Sequence, residues 1–520
     1  MFPLRLSRIV ELIWDHSQFA CGEFYREGSK DHSLEAHRIF QILAQREIER
    51  TQVRHKRFAQ ANYSAGLSDA ALEERAMTPG SFENYKELSK NRKRIEERSW
   101  DIRALRQFAN CFSSLKRITI SHAAHGWAYE PLYETPLIRS LRGKLDYGIL
   151  RSDRPYDLNP MGNEILVSWG ENRAYHERVS RGYKAIFEMM ANLHLPAQEL
   201  VIETNGLLAG IPLEMFADRT QDYRNFYALL CRPDFHRLDL ALLTGDCPTE
   251  GHNATQWGIL GRPHLRSALE RGTSLTHFSF SADVRPRDLL GYEDLIANDE
   301  SWVPIQQILP VGSWPEMQHF GLSRFPVKQA ELVDLLSNLP ESVRSIELGF
   351  LAFVLADETY AGLIDAVRYH IRWRNRPAAL RPRLVILLPI SFSAPMGMAN
   401  RVDSEIQEFL YHGGANPFRG SRGPNDVDFG VATELDVFNP GFKAAHTPDF
   451  DWKEEVQGMV SREDEFSRAA WNAMRDLRHA SARLLSEVSD EEGASGEEIT
   501  DEDIFVRELP RHYRRRDLEF

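Results

Sequence analysis

Cysteine is scarce in this chain: Cys21, Cys111, Cys231 and Cys247 are spread over 520 residues with no CxxC pair. That excludes a disulfide scaffold and a cysteine-rich zinc site, and points to reduced thiols inside a cell. Long hydrophobic runs are missing as well. No uncharged stretch approaches the roughly 18 residues that a membrane-spanning helix requires. At the N terminus, Glu11, Asp15 and His16 interrupt the apolar stretch before it can serve as a signal-peptide core. Without a secretory signal, the sequons NYS at 62 and NAT at 253 are read as chance matches. Positive charge is also in deficit, with 63 Lys and Arg against 76 Asp and Glu, a net charge of −13. Nucleic-acid binders need the opposite balance to displace counterions from phosphates. The composition therefore predicts a cytoplasmic or nuclear protein with neither a membrane nor a nucleic acid as partner.

Signatures of chemistry are equally sparse. The chain has no GxGxxG following a strand, no GxxxxGK[ST], no HExxH and no GxSxG. GDCPTEGH gathers Asp246, Cys247, Glu250 and His252, but its Gly, Pro and Thr mark a loop. NDVDFGVATELD carries Asp426, Asp428, Glu434 and Asp436 without the spacing of a calcium loop. No catalytic residue, cofactor or metal is expected. An α/β enzyme with a site scattered beyond sequence patterns stays as the alternative.

What the sequence does contain is a short motif in a repeated setting. An apolar pattern ΦxxΦxΦ falls at Ile9/Leu12/Trp14, Leu115/Ile118/Ile120, Ala197/Leu200/Ile202 and Phe235/Leu238/Leu240. It returns at Leu275/Phe278/Phe280, Met317/Phe320/Leu322 and Val343/Ile346/Leu348. At this apolar content about 38 such matches would arise by chance, so the setting carries the argument. DIRALRQFANCFSS, YKAIFEMMANLHLP, YRNFYALLCRPD and VKQAELVDLLSNLPES each run, in helical character, straight into one of these strands. PHLRSALERG leads in the same way into SLTHFSF, and YAGLIDAVRYHIRW into a further apolar run, RLVILLP. Helix, turn, short strand and loop in succession is the grammar of a leucine-rich-repeat solenoid. The motif starts lie about 40 residues apart from Ala197 to Met317 and about 26 before Val343, against roughly 20–29 in regular repeats. The predicted fold is thus α/β, an irregular leucine-rich-repeat-like solenoid. A doubly wound α/β domain shares the alternation, but its buried strands read as continuous apolar runs, whereas these are half polar.

Alternate strand residues point to one face. In a solenoid that row is the concave binding surface: Arg117 and Thr119, Glu199 and Glu203, Arg237 and Asp239, His277 and Ser279, His319, then Ser345 and Glu347. Residues 1–29 are expected to hold the first strand and cap, 30–112 a helical insertion, and 113–390 the repeat array. A closing helix and long loop fill 391–451. Apolar spacing predicts a helix over 452–488, and 489–520 read as a disordered tail, acidic then basic. Segments 156–172 and 245–262 read as loops from their Pro, Gly and Asn.

Three stretches carry a family resemblance. FENYKELSKNRKRIEE resembles the helical insertion of the large fungal F-box-like proteins with irregular leucine-rich repeats. The segment from LPESVRSIELGF to LRPRLVILLP, with its W-R-x-R-P turn, resembles their last repeat, and RVDSEIQEFLYHGGANPF is similar to their closing helix. The resemblance spans roughly residues 5 to 440. It implies a substrate receptor whose repeats bind a protein and whose F-box docks on the linker of a cullin-type ubiquitin ligase. No F-box of about 40–50 residues precedes Ile9, so the linker is expected as a partner only if an F-box lies upstream; without one the chain is an adaptor.

Overall fold

The computed structural model describes residues 6–16, 79–122, 173–192, 195–204, 209–244, 254–284, 302–355, 357–388 and 398–419, with short strands at 18–19, 150–151, 156–158, 164–166 and 432–435. The helix expected over 452–488, the tail 489–520 and GDCPTEGH lie outside the described residues, as does most of the insertion before Pro79.

Every apolar triplet becomes a strand or its lead-in. The strands are β1 (Glu11–Asp15), β2 (Arg117–Ser121), β3 (Glu199–Glu203), β4 (Arg237–Leu243) and β5 (His277–Ser281), followed by β6 (His319–Ser323), β7 (Ser345–Gly349) and β8 (Arg383–Leu388). They lie in chain order, all parallel. A doubly wound sheet would reverse its strand order at a switch point. Two strands that the sequence did not announce continue the sheet: β9 (Met398–Val402) runs antiparallel to β8, and β10 (Ala432–Leu435) antiparallel to β9. Ile211–Pro212 adds to β4. There Gly210 has φ +145° and its α-carbon lies so close to Leu242 that an added Cβ would sit 2.7 Å from a backbone carbon.

The helices are α1 (Pro79–Glu97), α2 (Trp100–Phe108), α3 (Arg173–Asn192), α4 (Gln221–Leu230), α5 (Ala254–Leu260) and α6 (Pro263–Leu269), then α7 (Ile305–Ile308), α8 (Gln329–Ser337), α9 (Tyr360–His370) and α10 (Ser404–Gln407). From α3 onward the packing passes along the row: α3 on α4, α4 on α6, α6 on α7, α7 on α8, α8 on α9. Thr220 and Thr359 cap α4 and α9 by accepting from backbone N–H groups three residues on. Helix α5 replaces part of an expected loop because Trp257 and Leu260 are fully buried, and that burial outweighs the turn-forming composition around them. A small hairpin, Tyr156–Leu158 with Glu164–Leu166, lies in the other.

Two backbone regularities join the units. The first apolar residue of six of the seven triplets closes a turn: Ile9, Leu115, Phe235, Leu275, Met317 and Val343 each donate N–H to the carbonyl three residues earlier. One residue before each strand, a relay of bonds runs across the sheet, with Lys116 donating to Val10, Gln198 to Lys116, His236 to Gln198, Thr276 to His236, Gln318 to Thr276, and Arg344 to Gln318. The second and third triplet positions then stack in register into one core with the helices. Phe278 lies at its middle, 4.6 Å from the Trp314 ring, whose indole N–H is satisfied by the Leu269 carbonyl at 2.9 Å.

Since Phe278 is fully buried among aromatic neighbours, Phe278→Ala should lower the unfolding free energy by about 3–5 kcal/mol in urea titrations. A loss under 1 kcal/mol would contradict this packing.

Candidate interaction face

The odd strand positions face away from the helix-packed core. Because the strands pair without a register shift, they form straight rows. The first row reads Glu11, Arg117, Glu199, Arg237, His277, His319, Ser345, Arg383. The second holds Thr119, Val201, Asp239, Ser279, Gly321 and Glu347. Neighbouring parallel strands lie about 4.8 Å apart, so like charges side by side would repel. The first four residues alternate in sign instead.

The row is stitched by its own contacts. Thr119 Oγ1 donates to Glu11 at 2.5 Å. Arg117 pairs with Glu199 at 2.6 Å, and His236 Nε2 reaches the other Glu199 oxygen at 3.4 Å. Arg237 pairs with Asp239 at 2.6 Å. His277 Nε2 lies 3.1 Å from Asp239 Oδ1, an ion-pair contact off hydrogen-bond alignment. The His277 and His319 rings stack at 4.0 Å, inclined by 11°, and His319 Nε2 stands 3.8 Å from Glu347. His277 and His319, both placed in the predicted row, therefore meet across neighbouring strands.

Electrostatics follow from this crowding. Burial by itself would raise the Asp239 carboxyl, but the contact and charge of His277, joined by Arg237, hold it well below the usual carboxylate range. Burial pushes His319 down to about 3, with repulsion from His277 in the same direction. His319 thus stays neutral near the Arg237–Asp239 pair.

Of the predicted face residues, Thr119, Glu203, Asp239 and Ser279 are buried rather than presented to solvent. Arg117, Glu199, Arg237, His277, His319, Ser345 and Glu347 are half-buried. Toward β8 the face turns apolar, with Phe350, Val385 and Leu387 packed as a separate cluster. Phe350 and Arg324 both take left-handed backbone (φ 52° and 48°) directly after their strands, and the Arg324 guanidinium lies 4.5 Å over the Phe350 ring.

A second polar cluster had no motif to reveal it. His16 and His122 follow β1 and β2 at the same register position, and both are buried with Tyr183 of α3. Tyr183 Oη lies 2.5 Å from His122 Nε2, and His122 Nδ1 is 3.4 Å from the Glu203 carbonyl oxygen. The tautomer that satisfies both has Nδ1 donating and Nε2 accepting from the tyrosine hydroxyl. The His16 ring stands edge-on to His122 at 4.9 Å. Gly182 admits it, since a Cβ there would come within 2.6 Å of His16 Nδ1. The available signal was a histidine just past the end of two neighbouring strands.

Among the described residues no cluster of three or more His, Cys, Asp or Glu could hold a metal ion, and no helix is long and apolar enough to cross a membrane. No protein-family model, no curated protein and no solved structure matches the chain.

The depressed His319 sets a pH dependence. Between about pH 6.5 and 3 the unfolded chain binds a proton that folded His319 refuses, so stability falls as pH falls through that window. Asp239, depressed as an acid, contributes stability above the ordinary carboxylate pKa that is lost only at still lower pH. His319→Gln should therefore remove on the order of 3 kcal/mol of the stability lost between pH 7 and pH 4. Denaturant midpoints measured across that range test this, and parallel wild-type and variant curves would refute it.

Proposed function

We propose that this chain is a protein-interaction module, an irregular leucine-rich-repeat-like solenoid that receives another protein on the odd-position face of its sheet. The observation that carries the reading is the in-register row from Glu11 to Arg383. It is a polar row whose first four residues alternate in charge, on the side of the sheet opposite the core that the described helices pack into. Chain-order parallel strands, with the helices from α3 to α9 packed along the row, support the repeat build. Internally paired charges give such a face directional selectivity: a partner must match a fixed pattern of Arg, Asp, Glu and His, and mismatched charges are penalised.

The resemblance to fungal F-box-like proteins gives this module its place, as a substrate receptor whose captured protein would be ubiquitylated through a cullin-type ligase. The link to the ligase linker needs an F-box upstream of β1. The receptor reading of the face stands apart from it.

The test is to purify the tagged protein from its own cells, beside a variant carrying Ser281→Glu and Ser345→Glu. These half-buried serines of β5 and β7 lie on the face and outside its ion pairs. The expected result is a stable companion protein whose recovery drops about tenfold in the variant while the melting temperature is unchanged. Companions indifferent to the double substitution would overturn the face. Co-purification of the cullin linker would establish the ligase connection, and its absence would leave an adaptor.

A further inference from the structure

From 366 to 402 the chain has seven arginines, Arg368, Arg372, Arg374, Arg376, Arg381, Arg383 and Arg401, and no Asp or Glu, within a protein of net charge −13. While some arginines elsewhere, such as Arg94, Arg103 and Arg224, stand singly rather than in a group, several pair with carboxylates: Arg106 with Glu188, Arg117 with Glu199, Arg181 with Asp101, Arg232 with Asp234 and Arg266 with Glu270. Arg383 is paired with Asp403 in the same manner. Among the described residues, Arg368, Arg372, Arg374, Arg376 and Arg381 are in no such pair.

Two of these five have work inside the fold. Arg368, in the last turn of α9, lies 4.5 Å over the Phe409 ring and reaches the Gly414 carbonyl. Arg381 lies 5.3 Å over Tyr411 and donates to the Arg376 carbonyl at 3.0 Å. The others are placed by a tight 3-10 turn, Arg372–Asn375, that follows α9. Ile371 and Trp373 are buried and pin the turn to the core, so Arg372 and Arg374, on either side of Trp373, are turned outward and exposed. Arg376 follows, half-buried. Tyr369, 64% exposed, and Leu380, 40% exposed, flank the group.

We infer that the turn at Arg372–Arg376, with Tyr369 and Leu380, is a second interaction surface that binds a short acidic segment of a partner protein. Guanidinium forks match carboxylates in bidentate geometry, and the exposed tyrosine and leucine supply apolar contact beside them. The surface lies outside the odd-position row and requires no property of that face. A short acidic peptide fits better than a nucleic acid. A long polyanion would extend beyond the patch into the field of a chain with net charge −13, whereas a few acidic residues meet only the arginines.

The experiment is fluorescence anisotropy on the full chain, with a labelled twelve-residue peptide of Asp and Glu around one central Leu. The same peptide with Lys for every acid and a twenty-nucleotide single-stranded RNA serve as comparisons. Binding of the acidic peptide should weaken as salt is raised. Arg372→Glu, Arg374→Glu and Arg376→Glu together should weaken it about tenfold or more. An equal charge change at the exposed Arg94, Arg103 and Arg224 should leave it within about twofold. Far-ultraviolet circular dichroism of both triple variants establishes that each is folded. Equal weakening by the two variants would reduce the effect to net charge and overturn the inference. So would an acidic peptide that fails to bind, or RNA that binds while the peptide does not compete.

Discussion

Because each parallel strand is paired to the next without a register shift, every property of one strand is copied to the same height on its neighbour. The relay of N–H to carbonyl bonds running from Val10 through Lys116, Gln198, His236, Thr276 and Gln318 to Arg344 fixes that height one residue before each strand begins. A slip by a single residue would turn the buried Phe278 and Phe280 outward and drive His277 and Ser279 into the core. Core packing and the charge row are therefore two results of one constraint, and neither could be rearranged without the other.

The same constraint explains the electrostatics. Rows that bring side chains within ion-pair distance leave few ways to arrange charge. The sequence of signs Glu11, Arg117, Glu199, Arg237 is one that closes. Where it runs into two histidines stacked 4.0 Å apart, burial, with repulsion from His277 in the same direction, keeps His319 neutral. The charges are thereby held rigidly, at low conformational cost for any partner that fits them.

Much of this was legible before any coordinates. The apolar triplets mark β1 to β7 because a short strand with one buried face needs only its second and fourth residues to be apolar, and those are the positions the pattern marks. The helices before them were legible from their 3.6-residue stripes, as in Leu332, Leu335 and Leu336 of α8. What escaped depended on contacts between residues far apart in sequence. Glu203 and Thr119 look like face residues in alternation, yet neighbours bury them. His16, His122 and Tyr183 meet only because β1, β2 and α3 converge. Helix α5 escaped because Trp257, hidden in a polar stretch, finds Phe325 and Trp302 at the core edge.

The spacing between neighbouring strands is uneven at the start of the sheet, where the connections from β1 to β2 and from β2 to β3 are both long. Between β1 and β2 the chain departs for roughly a hundred residues before it returns, whereas β3 to β8 follow one another at much shorter intervals. Loop closure grows only with the logarithm of length, so joining β1 to β2 costs about 1 kcal/mol more than joining two strands separated by a single helix and turn. The long connection between β1 and β2 is thus nearly free at equilibrium. Its cost falls in time instead: β1 must search a far larger volume for its edge, and the sheet can close from β3 onward before its first strand arrives.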